Sequence, residues 1–418
     1  MPVRKLIQSK KAWLSVVLVL VALGFTFGLF GGCGVDYNTP AALATTPALI
    51  DEAILDGWMT AGLVNGSGYN NVVILQVDNN CTAYASAHIS GSYCVTRSEV
   101  IATRTEGVGV YQGYMVADGA MMDALIQRTG IGPNTTIVFV SQRNAHTATY
   151  AYFSFRYWGF PKSRLKVMDG TLAEWQAYPL STDAVVPPPV NSGYSVTRNA
   201  SLRADLRISF PEMIEIVDEQ SPNNVILQGV DPINYASFHT GAVATVSPPG
   251  IFGAKQFTYN PNVQSDSFHF QTAGTITTNL TAGPIGGGST MNHIVYCNSG
   301  LFAVPLFFAI DGMLGWPAYY YDGGWLQWGQ MADENQVVHG TRPANALAVG
   351  LDVNSPWRTD IPTRSTFPIT YAVPYSFLPD FVAPLSFDAS VNEIEDEDAR
   401  YMSTGSGGGA GGGGAGGC

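Results

Sequence analysis

Basic residues are scarce in this sequence. Lysine and arginine number 20 in 418 residues against 32 aspartates and glutamates, a formal net charge of −12. The first 33 residues hold Arg4, Lys5, Lys10 and Lys11 and no acid, so without those four cations the body carries −16. Such a body is unsuited to nucleic acid and to docking on anionic lipid, and any anion site must be local. Histidine and cysteine are also few. The six histidines are scattered and the five cysteines form no Cys-x-x-Cys pair, so no metal site and no cofactor is expected. The glycine-rich run from Gly283 to Thr290 lacks the lysine that a phosphate loop places before its Ser/Thr, which leaves it a connection.

What is present begins with an export pattern. Four cations precede an apolar run from Ala12 to Phe30, and Gly31-Gly32-Cys33 follows. Small residues directly before a cysteine resemble the bacterial lipobox, which implies lipid on Cys33, although Phe30 stands where that pattern prefers leucine. The alternative is an uncleaved transmembrane anchor, since the apolar run is nearly long enough to span. Either reading keeps the basic end in the cytoplasm and the body outside, in the cell envelope. Gly34 after Cys33 favours the outer membrane by resemblance to lipoprotein sorting. In an oxidising envelope Cys81 and Cys94, thirteen residues apart, read as a disulfide, the alternative being two free thiols.

With 46% hydrophobic residues the chain can bury sizeable cores. Residues 34–48 read as a tether. Two units then repeat one order of landmarks. Val72 to Gln76 is echoed by Val225 to Gln228, and the His88 stretch by the one through His239. Ile137-Val138-Phe139-Val140 matches Ile294-Val295-Tyr296-Cys297, and Gly159-Phe160-Pro161 matches Gly315-Trp316-Pro317. The spacing from Asp169 to Trp175 equals that from Asp322 to Trp328. This predicts an α/β protein of two tandem units, 49–180 and 196–330, joined by a proline-rich linker over 181–195. Residues 331–400 form an extension ending in an acidic cluster, and 401–418 a glycine-rich tail closing on Cys418, too poor in apolar surface to fold.

The chemistry centres on Cys297. A short apolar strand, Ile294-Val295-Tyr296, ends at Cys297-Asn298-Ser299-Gly300-Leu301-Phe302, and an apolar helical segment starts at Ala303. A thiol at a strand-to-helix turn faces free backbone N–H groups and the positive end of a helix dipole, which favours the thiolate. Gly300 lets the turn curl so that its amides converge on the sulfur. In the matched alignment Val140 stands where Cys297 stands, so the first unit lacks the thiol.

The loop Cys297 to Phe302, with Asp322-Gly323-Gly324 and Trp328 beyond it, resembles the active-site half of a rhodanese-type sulfurtransferase of the thiosulfate and mercaptopyruvate kind. The resemblance covers residues 48–330. It implies two tandem rhodanese-like domains, each a mainly parallel sheet flanked by helices, of which only the second is active. It implies a persulfide on Cys297, with Asn298, Ser299, Gly300, Leu301 and Phe302 binding a small sulfur- or selenium-containing anion. Val230 and Asn234 stand where that family holds arginines, and Phe302 where it holds a small hydroxyl residue. Ordinary thiosulfate or mercaptopyruvate turnover is therefore not expected. Cys33 and the glycine-rich end closing on a chalcogen residue resemble the exported rhodanese-like proteins of bacterial selenite and tellurite reduction operons. Two other roles remain open: a non-catalytic chalcogen-oxyanion binding protein, and a structural member of a surface redox assembly that meets its partners through 331–400. A mouth blocked by Phe302 would favour those two. The tail thiol Cys418 is a candidate resolving thiol for the Cys297 adduct, against a disordered end or one bonded to a partner.

Overall fold

The computed structural model describes residues 43, 45–66, 71–106, 110–178, 182–188, 190–219, 221–230, 251, 253–324, 327 and 393–405. Cys33, Asn234, His239, Trp328, Cys418 and residues 331–392 lie outside these.

In chain order β1 (Leu49–Ile50) and α1 (Glu52–Thr60) lead to β2 (Val72–Asp78), followed by α2 (Thr82–Ser86), β3 (His88–Ile89) and β4 (Tyr93–Thr96). A hairpin of β5 (Ile101–Thr105) and β6 (Val110–Val116) precedes α3 (Gly119–Arg128), β7 (Thr136–Val140) and α4 (Ala145–Tyr157). The first unit closes with β8 (Leu165–Met168), α5 (Leu172–Trp175) and β9 (Thr182–Asp183). Its main sheet runs β1–β8–β7–β2–β4, and every pairing in it is parallel. All seven residues of β2 are buried, which is why Val72 to Leu75 read as an apolar run and not as an alternation, with Gln76 and Asp78 as buried polar residues at its end.

The second unit comprises α6 (Phe210–Glu219), β10 (Asn224–Gln228), β11 (Lys255–Gln256), α7 (Ala273–Thr281) and β12 (Asn292–Tyr296). After them come α8 (Val304–Phe307), which runs on as a π turn over Phe308–Leu314, and β13 (Ala318–Tyr320). Its four-stranded sheet, β11–β10–β12–β13, is again wholly parallel. These are the two tandem parallel-sheet units expected from the repeat.

The units meet through α4, whose thirteen residues are all buried. A helix that is enclosed on every side needs no polar face. Phe153 packs edge-on against Phe307 at 5.1 Å and against Tyr320 at 4.7 Å, and Tyr152 against Phe308 at 4.9 Å. Burying rings of this size contributes on the order of 2–3 kcal/mol each. The seam is also tied reciprocally by the two Asp-Gly turns. Asp169 of the first unit accepts a hydrogen bond from Phe270 N at 2.9 Å, and Asp322 of the second accepts one from Val116 N at 3.0 Å.

Strand register corrects one alignment. Gln76 pairs with Val140, and Gln228, its repeat partner, pairs with Tyr296. Val140 therefore corresponds to Tyr296, and the residue at the place of Cys297 is Ser141. The Ile-Leu-Gln match sets this register, and the apolar match that put Val140 opposite Cys297 is one residue out.

The start of the linker is not free chain, for β9 pairs antiparallel with β3 and Asp183 lies 3.3 Å from the buried His88 ring. Val185 and Val186 beyond it are exposed. Far downstream, the acidic cluster forms the start of α9 (Glu393–Thr404), so residues 401–404 of the glycine-rich end are helical.

Candidate active site

Cys297 leaves the end of β12 and is wholly buried. Gly300 takes φ +96, a conformation open to glycine, and its N–H donates to the Cys297 Sγ at 3.1 Å. The Ser299, Phe302 and Ala303 amides add electrostatic pull toward the thiolate without a direct hydrogen bond to the sulfur, and the Ala303 N–H donates to Gly300 O at 3.2 Å. The expected amide cradle is present. Its expected electrostatic result is not. Burial outweighs the amides and pushes the Cys297 pKa up to about 11, so the resting group is a thiol and not a thiolate.

The loop is clamped from behind by the Asp322-Gly323-Gly324 turn. A Cβ on Gly300 would stand 2.7 Å from Asp322 O and from Tyr320 Oη, and one on Gly324 would stand 2.7 Å from the carbonyl oxygens of Cys297 and Asn298. Such close backbone approach requires glycine at both places. Asp322 is itself held by Arg207, whose Nε donates to both its carboxylate oxygens at 2.9 and 3.0 Å. Arg207 pairs with Tyr320 beside β13, which sets its side chain level with the turn.

From the front the loop is closed by aromatic rings of both units. Phe302 stacks on Tyr259 at 5.9 Å, and His146 meets Phe302 and Tyr259 edge-on at 4.7 and 4.6 Å. His146 comes from the start of α4 in the first unit. It is 2% exposed, neither ring nitrogen has a hydrogen-bond partner, and burial lowers its pKa to about 4, so it is neutral. Burial raises the Tyr259 pKa, and a thiolate at Cys297 would raise it further. Asn298 is buried with both side-chain amide atoms unpartnered. Ser299 and Leu301 are buried as well, and Phe302 is half-buried at the mouth. Val230, at one of the arginine places, is buried and apolar.

The equivalent turn in the first unit keeps the cradle with different chemistry. Ser141 Oγ accepts from the N–H groups of Arg143 at 3.2 Å and Asn144 at 3.4 Å, and donates to Asp78 at 2.8 Å. In the second unit the place of Asp78 is taken by Val230. Sequence reasoning passed over His146, Tyr259, Arg207 and Ser141; aligning the repeats on Gln76 and Gln228 would have found the last.

The remaining sites lie apart. Cys81 and Cys94 are joined as a disulfide with their Cα atoms 6.0 Å apart. A cleft of about 510 Å³ between the Gly-Phe-Pro and Gly-Trp-Pro turns is lined by Arg156, Lys162, Arg203 and Asp311 and by no residue of the Cys297 loop. Its cations are paired with Asp311 and Asp205. Among the described residues no group of three or more His, Cys, Asp or Glu is placed to hold a metal ion.

No family model matches the sequence. The chain is similar to the sulfur carrier protein TtuD of Thermus thermophilus, at 26% identity over 271 residues, 62% of this chain and 88% of that protein. It is similar too to the Mycobacterium tuberculosis protein named "Putative thiosulfate sulfurtransferase", at 24% identity over 269 residues, 62% and 89% of the two chains. Its fold is like that of the anaerobic ergothioneine biosynthesis enzyme of Chlorobium limicola, solved with trimethyl histidine (TM-score 0.54, 17% identity, 68% of each chain). It is like the Tum1 protein of Saccharomyces cerevisiae as well (TM-score 0.53, 14% identity, 67% of this chain and 94% of that one). The named relatives support a rhodanese-like sulfurtransferase at the level of the family.

Proposed function

We propose that the protein is a sulfurtransferase-like carrier in which Cys297 takes up a sulfur or selenium atom. The observation that carries the reading is the amide turn around the thiol, with the Gly300 N–H donating to the sulfur at 3.1 Å and the neighbouring amides favouring the thiolate. Such a cradle stabilises the charge of a thiolate or a persulfide more than that of a neutral thiol. In the reaction the Cys297 thiolate attacks the outer chalcogen of a donor, an S–S or S–Se bond forms, and the donor's remaining fragment leaves with the electron pair. The proton of the thiol passes to solvent or to that leaving fragment. Because Cys297 is wholly buried and protonated at rest, Phe302 must swing away before the donor enters.

The donor we propose is of low charge. The wall is Phe302, Tyr259 and a neutral His146, and Val230 supplies no guanidinium where the resemblance has one. Asn298 and His146, buried with unpartnered polar atoms, would offer hydrogen bonds without net charge once Phe302 moves. The envelope setting and a source in selenite or tellurite rest on sequence features outside the described residues, namely the leader ending at Cys33 and the tail ending at Cys418.

One observation favours the non-catalytic reading, the closed mouth at Phe302. Cyanide separates the two. A persulfide at Cys297 yields thiocyanate and regenerates the thiolate, so protein incubated with a donor should release about one thiocyanate per Cys297, and Cys297→Ser protein none. Tight retention of the donor with no cyanide-labile sulfur would make the protein a binder.

A further inference from the structure

We propose that α9 is a proton-linked latch on the Cys297 loop: it docks with Glu395 protonated, and in docking it completes the Arg207–Asp322 brace that holds the loop shut. Arg207 is fully buried and faces three carboxylates from three separate parts of the chain. Glu106, beyond β5, lies at 2.8 Å, Asp322 at 2.8 Å, and Glu395 on α9 at 2.5 Å, and none of the three side chains is more than 8% exposed. One guanidinium thus meets three buried acids, and an uncompensated buried charge is costly unless a proton neutralises it.

The hydrogen bonds assign the proton. Both Asp322 oxygens are occupied, by Arg207 Nε and by Val116 N. Both Glu106 oxygens are occupied, by Arg207 and, on Oε2, also by Phe210 N and Gln327 Nε2. Glu395 uses Oε1 for Arg207, and its Oε2 is buried with no partner, as is the Gln327 Oε1 in the same cluster. Only Glu395 has an oxygen free to carry the proton. In agreement, burial raises its pKa to about 7, with the Glu106 charge adding to the rise and Arg207 opposing it.

Burial also raises the Asp322 and Asp398 pKa values, but each has both carboxylate oxygens engaged by donors, which leaves Glu395 as the acid of the cluster with an open oxygen. Asp398 is held by both Arg104 nitrogens at 2.7 and 2.8 Å and by Tyr157 Oη at 2.8 Å. Glu397 is exposed and pairs with Arg104 at 2.9 Å. Tyr157 is kept protonated by burial and by the Asp398 charge, and Tyr401 donates to Asp123 at 2.8 Å. The buried Ile394 seats the helix through an apolar contact that does not titrate.

The link to the reactive loop is short. Glu395 closes the ring around Arg207, Arg207 fixes Asp322, and the Asp322 turn lies directly on the backbones of Gly300, Asn298 and Cys297. A group whose pKa is raised on docking favours the docked state below its ordinary value and loses that advantage as pH rises through the raised one. Docking is therefore tightest below about pH 4.5 and weakens up to about pH 7.

The test uses the full chain, with hydrogen exchange of the 393–405 peptide and alkylation of Cys297 followed between pH 5 and pH 8. After correction for intrinsic exchange, protection of α9 in the wild type should fall roughly a hundredfold across that range. Glu395→Gln, uncharged at every pH, should hold its protection. Alkylation of Cys297 should rise more steeply with pH in the wild type than in E395Q, and Glu397→Gln, altered at an exposed carboxylate of the same helix, should follow the wild type. Identical pH profiles for wild type and E395Q would overturn the latch, as would α9 opening that leaves Cys297 labelling unchanged. Neither readout involves chalcogen transfer, so the latch and the proposed function can fail separately.

Discussion

Two turns in one molecule have the same backbone task and opposite chemistry. After β7 the chain places a hydroxyl among converging amides, and Ser141 passes its proton's hydrogen bond to Asp78. After β12 it places a thiol among converging amides, with Val230 where the carboxylate would be. An amide cradle is thus a property of the strand-to-helix turn and does not by itself make a reactive group. What distinguishes the second turn is the sulfur, the missing carboxylate and a glycine at φ +96 where the first turn has Asn144 in extended backbone. The first turn still contributes to the second, since its helix supplies the buried, unpartnered His146.

The sharpest break in this comparison is Cys297→Ser, which gives the second turn the first turn's hydroxyl. Complete loss of cyanide-labile sulfur is expected. Ser141→Cys in the wild-type background should gain none, because Asp78 stays beside the new thiol and a carboxylate opposes a thiolate. Adding Asp78→Val removes that acid, and peptide mapping after alkylation should then find a second labelled cysteine.

The pH response comes next in size. With the Cys297 pKa pushed up to about 11, its alkylation should climb about tenfold per pH unit from pH 7 to pH 10. A plateau below pH 8 would mean that the amides outweigh burial after all. The sign for stability follows: the fold prefers the protonated thiol, so it loses stability as pH rises from 9.0 toward 11.

Gly300→Ala should cost ~2–4 kcal/mol in urea unfolding, from left-handed backbone strain together with contact on Asp322 O and Tyr320 Oη. Replacing Cys81 and Cys94 by serine opens a thirteen-residue separation and should cost ~2–3 kcal/mol while leaving Cys297 labelling as it was. The smallest effect belongs to Asn144→Gly, the first turn's counterpart of Gly300. It weakens a helix cap and should cost only a few tenths of a kcal/mol.

Much of this was legible in the sequence because the repeat is carried by buried parallel strands. The apolar run in β2 and its echo in β10 have no solvent face, so they stand out without alternation. The Cys297 turn was legible for a similar reason, since a glycine three residues after a strand-end cysteine has a backbone purpose. The thiol's high pKa was not. It depends on Phe302, Tyr259 and His146 closing over the loop, and His146 is over 150 residues away in the chain. Arg207 was hidden likewise, because its partners Glu106, Asp322 and Glu395 gather from three distant segments. Nor did the charge pattern of 393–398 show that those acids dock as a helix, since a run of acids reads as a solvated surface.

The most direct test of the chalcogen-carrier function is peptide-resolved mass spectrometry of the protein after separate exposure to a neutral organic hydropersulfide, to thiosulfate, to mercaptopyruvate, and to selenite with glutathione as its reductant, with Cys297→Ser in parallel. The expected result is a gain of one sulfur or one selenium atom on the Cys297 peptide with at least one of these, absent in the variant and absent from the Ser141 peptide. An unmodified Cys297 with every donor, in protein whose thiol still alkylates at alkaline pH, would contradict it.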